Sequence, residues 1–141
     1  MSVIYWDTML FVYWLEEHTD YAPRVRTILS RIEEREDVLC TSSFALAELL
    51  VGPYRSGNPE LAEQIRAALQ PPFVRIIPFT SDTAEHYARI RAKPGIAAAD
   101  AIHLACAAEA RVDLFLTNDR GLAGRIIPGI QFVAGLDVNL F

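Results

Sequence analysis

Cysteine, histidine and lysine are scarce in this sequence of 141 residues, and each scarcity excludes something. The 2 cysteines, Cys40 and Cys106, lie in apolar contexts with no metal-type spacing. They are expected to be reduced core residues of a cytoplasmic protein. With only 3 histidines and no Cys/His cluster, the sequence has no zinc site to offer. No apolar run approaches the ~20 residues that cross a bilayer, so no membrane association is expected. No positive segment precedes the first apolar run, so no signal peptide is expected either. No glycine-rich turn follows that run, which sets dinucleotide binding aside.

Positive charge is also short, with 13 basic against 18 acidic residues and a net charge of −5. That balance weighs against a nucleic-acid binder, because phosphate contacts need Lys and Arg. The deficit is local, however. Residues 1–50 carry all of it, and residues 51–141 are neutral. Divalent cations on a few acids would cancel much of the charge. Lys93 is the lone lysine, and the other 12 basic residues are arginines, the side chain suited to bidentate phosphate contacts.

What is present is a globular composition, 52 % hydrophobic and 22 % charged, at the length of one domain spanning 1–141. The run VIYW predicts a buried strand, followed by a helix over MLFVYWLEE that Thr8 can cap. Residues 22–36 predict a helix whose apolar stripe is Val25, Ile28, Leu29 and Ile32. DVLCTS is a strand. Ser42 or Ser43 then caps the helix SSFALAELLVGPY, which Gly52-Pro53 ends or bends. A helix over about 58–70 stops at Pro71-Pro72, and FVRIIPF is a strand pushed toward a sheet edge by Pro78. Ser81-Asp82 opens a helix through about Arg91. The Ala-rich helix in IAAADAIHLACAA then leads into the strand DLFLT, a short helix RGLAGRI and a last strand IQFVA. Strands alternating with helices predict an α/β fold of three α/β/α layers, a small parallel sheet covered on both faces.

Four acids punctuate those apolar elements. Asp7 closes the first strand, Glu48 interrupts the apolar stretch Phe44–Val51, Asp100 sits in the first turn of the Ala-rich helix, and Asp119 follows DLFLT. Each has an ordinary explanation as a helix cap, a solvent-edge residue or a partner of the helix dipole. Together they have a different one. If VIYW and DLFLT are neighbouring parallel strands, Asp7 and Asp119 emerge at the carboxyl edge, where ligands bind in open α/β sheets. Crowded carboxylates raise one another's pKa unless a cation neutralises them. Hard oxygen ligands of this kind suit Mg²⁺ or Mn²⁺, and phosphodiester hydrolysis is the chemistry they best serve.

Thr8 and Thr117 flank two of the acids and can orient a ligand or water. His103 lies one helical turn beyond Asp100, so it is either a hydrogen-bonded packing residue or part of the site. His18 and His86 sit in polar stretches with no catalytic context. Trp6, Trp14 and Tyr13 read as core rather than as a stacking platform.

At VIYWDT, SSFALAELLVG, AADAIHLACAA and LFLTND the chain resembles the PIN-domain family, in particular VapC-like toxins of toxin–antitoxin pairs. These pieces span nearly the whole chain in the family's order. The resemblance implies helices around a small parallel sheet and an Mg²⁺- or Mn²⁺-dependent endoribonuclease. It implies Asp7, Glu48 and Asp100 as metal ligands, with Asp119 as a fourth, more distant acid. Thr8 and Thr117 are the supporting polar positions. It also implies a homodimer and a cognate antitoxin that obstructs the site. The last motif reads Thr-Asn-Asp, which leaves Asn118 as a competing ligand to Asp119. Arg89, Arg91, Lys93 and Arg120 are the basic residues nearest the later acids.

Three rivals are weaker. A phospho-receiver domain wants paired acids after the first strand and a late lysine, whereas Asp7 stands alone. A sugar phosphatase wants a second Asp where Met9 stands. A PIN-like scaffold that binds RNA or protein without cleaving has no need of all four acids.

Overall fold

The computed structural model describes residues 1–137 and 139. Its elements in order are β1 (Val3–Trp6), α1 (Thr8–Leu15), α2 (Ala22–Glu34), β2 (Val38–Ser42), α3 (Ser43–Arg55), α4 (Pro59–Ala68), β3 (Arg75–Ile77), α5 (Ser81–Ala92), α6 (Ala98–Glu109), β4 (Leu114–Leu116) and β5 (Phe132–Ala134). The five strands form one parallel sheet in the order β3-β2-β1-β4-β5, so β1 is central. The expected domain over 1–141 reaches Val138, Leu140 and Phe141, which lie outside the described residues.

Period-two alternation sends successive side chains of each strand to opposite faces. Ile4, Trp6, Leu39, Leu114 and Leu116 face one layer, with Leu10, Phe11, Val25, Ile28, Leu49 and Ile65 of α1–α4. Tyr5, Cys40, Phe115 and Val133 face the other, with Ile90 of α5 and Leu104, Ala105 and Ala108 of α6. The expected three layers are therefore present. The stripe of α2 buries Val25, Ile28 and Ile32, while Leu29 is only partly buried at its margin. The small residues of α6 let it lie close to its neighbours. At Gly129 (φ +96°) an added Cβ would stand 2.9 Å from the Ala108 carbonyl oxygen.

Both cysteines are buried and unpaired, and burial pushes the Cys40 thiol up to about 12 and that of Cys106 to about 11. Among the described residues no helix is long and apolar enough to cross a membrane.

Three local expectations need correction. Asp7, not Thr8, caps α1, its carboxylate accepting the Met9 amide at 3.1 Å. Ser42 caps α3, but Gly52-Pro53 does not end it. Pro53 is buried within the helix, and the Gly52 carbonyl accepts from Ser56 beyond it. Ser81-Asp82 does open α5, and Thr80 caps it in a reciprocal pair with Thr83. RGLAGRI is a turn rather than a helix. Gly124 takes a positive φ of 83° and commits its amide to the Val133 carbonyl in β5, which stops helical propagation.

Candidate metal and acid centre

Register places the first two functional positions. Trp6 pairs with Leu116, so the next residues, Asp7 and Thr117, leave the sheet side by side, and the Asp7 amide donates to the Leu116 carbonyl at 3.2 Å. Asp7 therefore begins α1 at the carboxyl edge of the central strand. Burial pushes its carboxyl above the usual range, opposed by the Thr117 hydroxyl, His103 and the amides of α1. Thr117 is itself buried, and its hydroxyl accepts the Asp119 amide at 3.0 Å.

Glu48 reaches the same edge from α3. Its Oε1 accepts the Thr8 hydroxyl at 2.5 Å and lies 2.7 Å from Nε2 of His103. The hydrogen bond with His103 is the first cause holding Glu48 below the usual carboxylate range. Thr8 spends its proton on Glu48, so both neighbours of His103 Nε2 are acceptors, and Nε2 is assigned the proton. The other ring nitrogen, Nδ1, then accepts from the Tyr5 hydroxyl at 2.7 Å, and that hydroxyl lies 2.9 Å from Ser42 Oγ. Ser42 Oγ accepts the Ala45 amide at the start of α3. A buried relay thus runs from Glu48 through His103 and Tyr5 to the helix that carries Glu48.

Asp100 arrives from the first turn of α6. Burial raises its pKa, and the like charges of Asp119 and then Glu48 raise it further, while His103 opposes them. Asp100 thus lies within electrostatic reach of Asp119 and Glu48, and His103, hydrogen-bonded to Glu48, lies within reach of Asp7 and Asp100. Asp119 is exposed, and its Oδ1 accepts the Gly121 amide at 2.8 Å, so it also anchors the turn at 120–124. The Asn118 side-chain amide donates to the Tyr13 hydroxyl at 3.0 Å.

The model of the PIN domain family matches residues 4–125. The chain belongs to the PIN domain family. Solved structures share the PIN fold at low identity. VapBC2 from Rickettsia felis, bound to a promoter DNA fragment, is 20 % identical with a TM-score of 0.75, covering 94 % of this chain and 98 % of that one. DNA-bound VapBC from Salmonella typhimurium is 22 % identical with a TM-score of 0.72, covering 96 % and 99 %. A toxin–antitoxin complex from Klebsiella pneumoniae is 23 % identical with a TM-score of 0.66, covering 90 % and 94 %. No curated protein sequence matches this PIN chain significantly.

All four acids singled out in the sequence stand at one edge of the PIN sheet, with Thr8 and Thr117 beside them. Among the described residues, no three His, Cys, Asp or Glu side chains already form a cage for a metal ion. The donor set nevertheless suits a hard divalent cation: it is all carboxylate oxygen, and burial holds the pKa of Asp7 and Asp100 up, with the like charges of Asp119 and Glu48 adding to it at Asp100. Tyr5 had no signal in sequence, where it is one more aromatic of a core strand, and Ser42 was visible there only as a helix cap. The spacing Asp100–His103 was the visible trace of His103, which proves to be both a buried packing residue and the hub of the cluster.

Proposed function

We infer that this PIN-domain chain is a metal-dependent endoribonuclease, the toxin of a toxin–antitoxin pair, and that its 141 residues form a single domain. The observation that carries the reading is the convergence of Asp7, Glu48, Asp100 and Asp119 at the carboxyl edge of β1 and β4. The likeness in fold to structures described as toxin–antitoxin complexes supports the toxin role. Buried, unpaired Cys40 and Cys106 go with a cytoplasmic location.

Asp7, Glu48 and Asp100 are the residues that would hold Mg²⁺ or Mn²⁺, with Asp119 as the outer acid. Such an ion, when bound, lowers the pKa of water and stabilises charge on a phosphate oxygen. The chain's own part is positioning. His103 and Thr8 fix one oxygen of Glu48 and leave the other for a ligand. The Tyr5–Ser42 relay fixes His103 in turn. Asp7 is fixed by its cap bond to Met9, and Thr117 holds the backbone that carries Asp119. Hydrolysis then sets water in line with the leaving oxygen, and no side chain forms a covalent bond to the substrate.

Arg91 is not available to grip RNA, because it donates to the Ile96 carbonyl at 2.7 Å. Arg89 pairs with Glu85, leaving Lys93 and Arg120 as the better placed cations. The reading implies a cognate antitoxin and a homodimer, and exposed Val51, Tyr54 and Leu61 on α3 and α4 supply apolar surface for such contacts. The rival reading, a scaffold that binds RNA or protein without cleaving, rests on Glu48 being already taken up by His103 and Thr8. Incubating purified protein with RNA in Mg²⁺, in Mn²⁺ and in EDTA separates the two. The nuclease reading expects cleavage in the first two only, and binding without cleavage under all three favours the scaffold.

A further inference from the structure

Beside the acids, over the carboxyl ends of β4 and β5, lies a cavity of about 260 Å³ bounded by Tyr21, Arg24, Thr117, Asn118, Asp119 and Arg120. Its wall toward the α1–α2 connection is aromatic. The rings of Tyr13, His18 and Tyr21 lie 4.7–5.1 Å apart, centroid to centroid, and His18 and Tyr21 are stacked at 25°. Tyr13 is buried at the base of this group, whereas Tyr21 is 37 % exposed and faces the cavity.

The connection carrying these rings is pinned. The His18 amide donates to the Tyr13 carbonyl at 3.0 Å, and Ala22 donates back to the His18 carbonyl at 2.8 Å. The Asp20 amide donates to Nδ1 of His18 at 3.2 Å. At the opposite side of the cavity, Asn118 is tied to Tyr13, and Arg24 Nε donates to the Leu136 carbonyl. A ring held in place by its backbone loses little freedom when a planar group settles on it. The Arg120 guanidinium borders the same space, Asp137 lies on its lining, and the exposed acid Asp119 connects it to the carboxylate cluster.

The geometry points to a nucleotide subsite: an unpaired base of single-stranded RNA rests against the Tyr21 ring, with its phosphate toward Arg120, one step from the acids. The volume lies just below the ~300 Å³ at which pockets for drug-sized ligands begin, which suits one nucleotide and no more. Stacking of a base on an aromatic ring tolerates any base, so the subsite selects for unpaired rather than particular nucleotides. This inference rests on the ribonuclease reading for its setting, not for its test.

The test is binding of two fluorescein-labelled probes to the folded Asp100→Asn chain in Mg²⁺: a single-stranded oligoadenylate, and a ribose–phosphate oligomer of the same length without bases. Adding Tyr21→Ala weakens oligoadenylate binding about tenfold, whereas Tyr21→Phe leaves it within about twofold, as expected for loss and retention of one stacking contact. The base-free oligomer binds all three chains alike. An equal loss with Phe and Ala overturns the subsite, because the hydroxyl and not the ring is then responsible. An equal loss for the base-free oligomer also overturns it, because the defect then lies in phosphate contact or folding. Ring-dependent binding with no cleavage by the natural chain sinks the nuclease reading and leaves the subsite standing. Cleavage with no ring dependence sinks the subsite alone.

Discussion

Asp7 combines two roles that one pair of substitutions can separate. Its carboxylate caps α1 through the Met9 amide, and the same carboxylate belongs to the acid cluster. Asparagine keeps an acceptor oxygen at the cap and discards the charge, whereas alanine discards both. The difference between Asp7→Asn and Asp7→Ala therefore isolates the cap, worth about 1 kcal/mol, or about 3 °C in Tm for a chain of this size. The charge acts in the opposite direction. Burial raises the Asp7 pKa, so the folded chain holds this proton more tightly than the unfolded one. Ionised Asp7 then costs stability, and the cost grows as pH rises through the carboxylate range. Asp7→Asn escapes that cost and is expected to melt at or above the natural chain at neutral pH. Calorimetry in EDTA measures the stabilities, and RNA cleavage in Mg²⁺ measures function, which both variants lose. An Asn variant less stable than the natural chain would refute the account of Asp7 as an acid whose ionisation burial opposes. Equal stability of Asn and Ala would refute the cap, and cleavage retained by either would remove Asp7 from the site.

Two further outcomes follow from the buried groups. Alanine at His103, only 3 % exposed, removes the partner shared by Glu48 and Tyr5 and leaves a cavity, for an expected loss of about 2–3 kcal/mol in chemical denaturation; a loss within experimental error would show the relay to be incidental. Burial raises the thiols of Cys40 and Cys106, and the Tyr5 hydroxyl in the same direction, so the unfolded chain sheds these protons first. Stability should then fall as pH climbs from the ordinary thiol range of about 8.5 toward 11. The double variant Cys40→Ala, Cys106→Ala should flatten the slope of Tm against pH, and an unchanged slope would contradict the assignment.

The acids were legible because each ends or interrupts an apolar run, and a polar residue there is costly unless something holds it. Asp7 and Asp119 could be placed together on the condition that VIYW and DLFLT are neighbouring strands, since parallel neighbours align their carboxyl ends. The relay was not legible. Glu48 and His103 are 55 residues apart and Tyr5 and His103 are 98 apart, and a tyrosine in a buried strand gives no hint that its hydroxyl meets an imidazole. Local punctuation also misled at two places. Pro53 lies inside α3 because the buried ring and the packing of α4 against that helix outweigh its missing donor. The segment after Asp119 looked helical by its apolar spacing, but Gly124 turns the chain so that its amide can join β5. In both cases tertiary contacts overrode a weak local preference.

The most direct test of the central claim compares RNA cleavage by the natural chain and by Asp100→Asn, in Mg²⁺, in Mn²⁺ and in EDTA, after both are shown to be folded. Asp100 is a carboxylate raised by burial and by the like charges of Asp119 and Glu48, so its neutralisation relieves the fold while removing a proposed ligand. The account predicts cleavage by the natural chain that requires a divalent ion, and none by the variant. Equal cleavage by both proteins, or cleavage that survives EDTA, would contradict it.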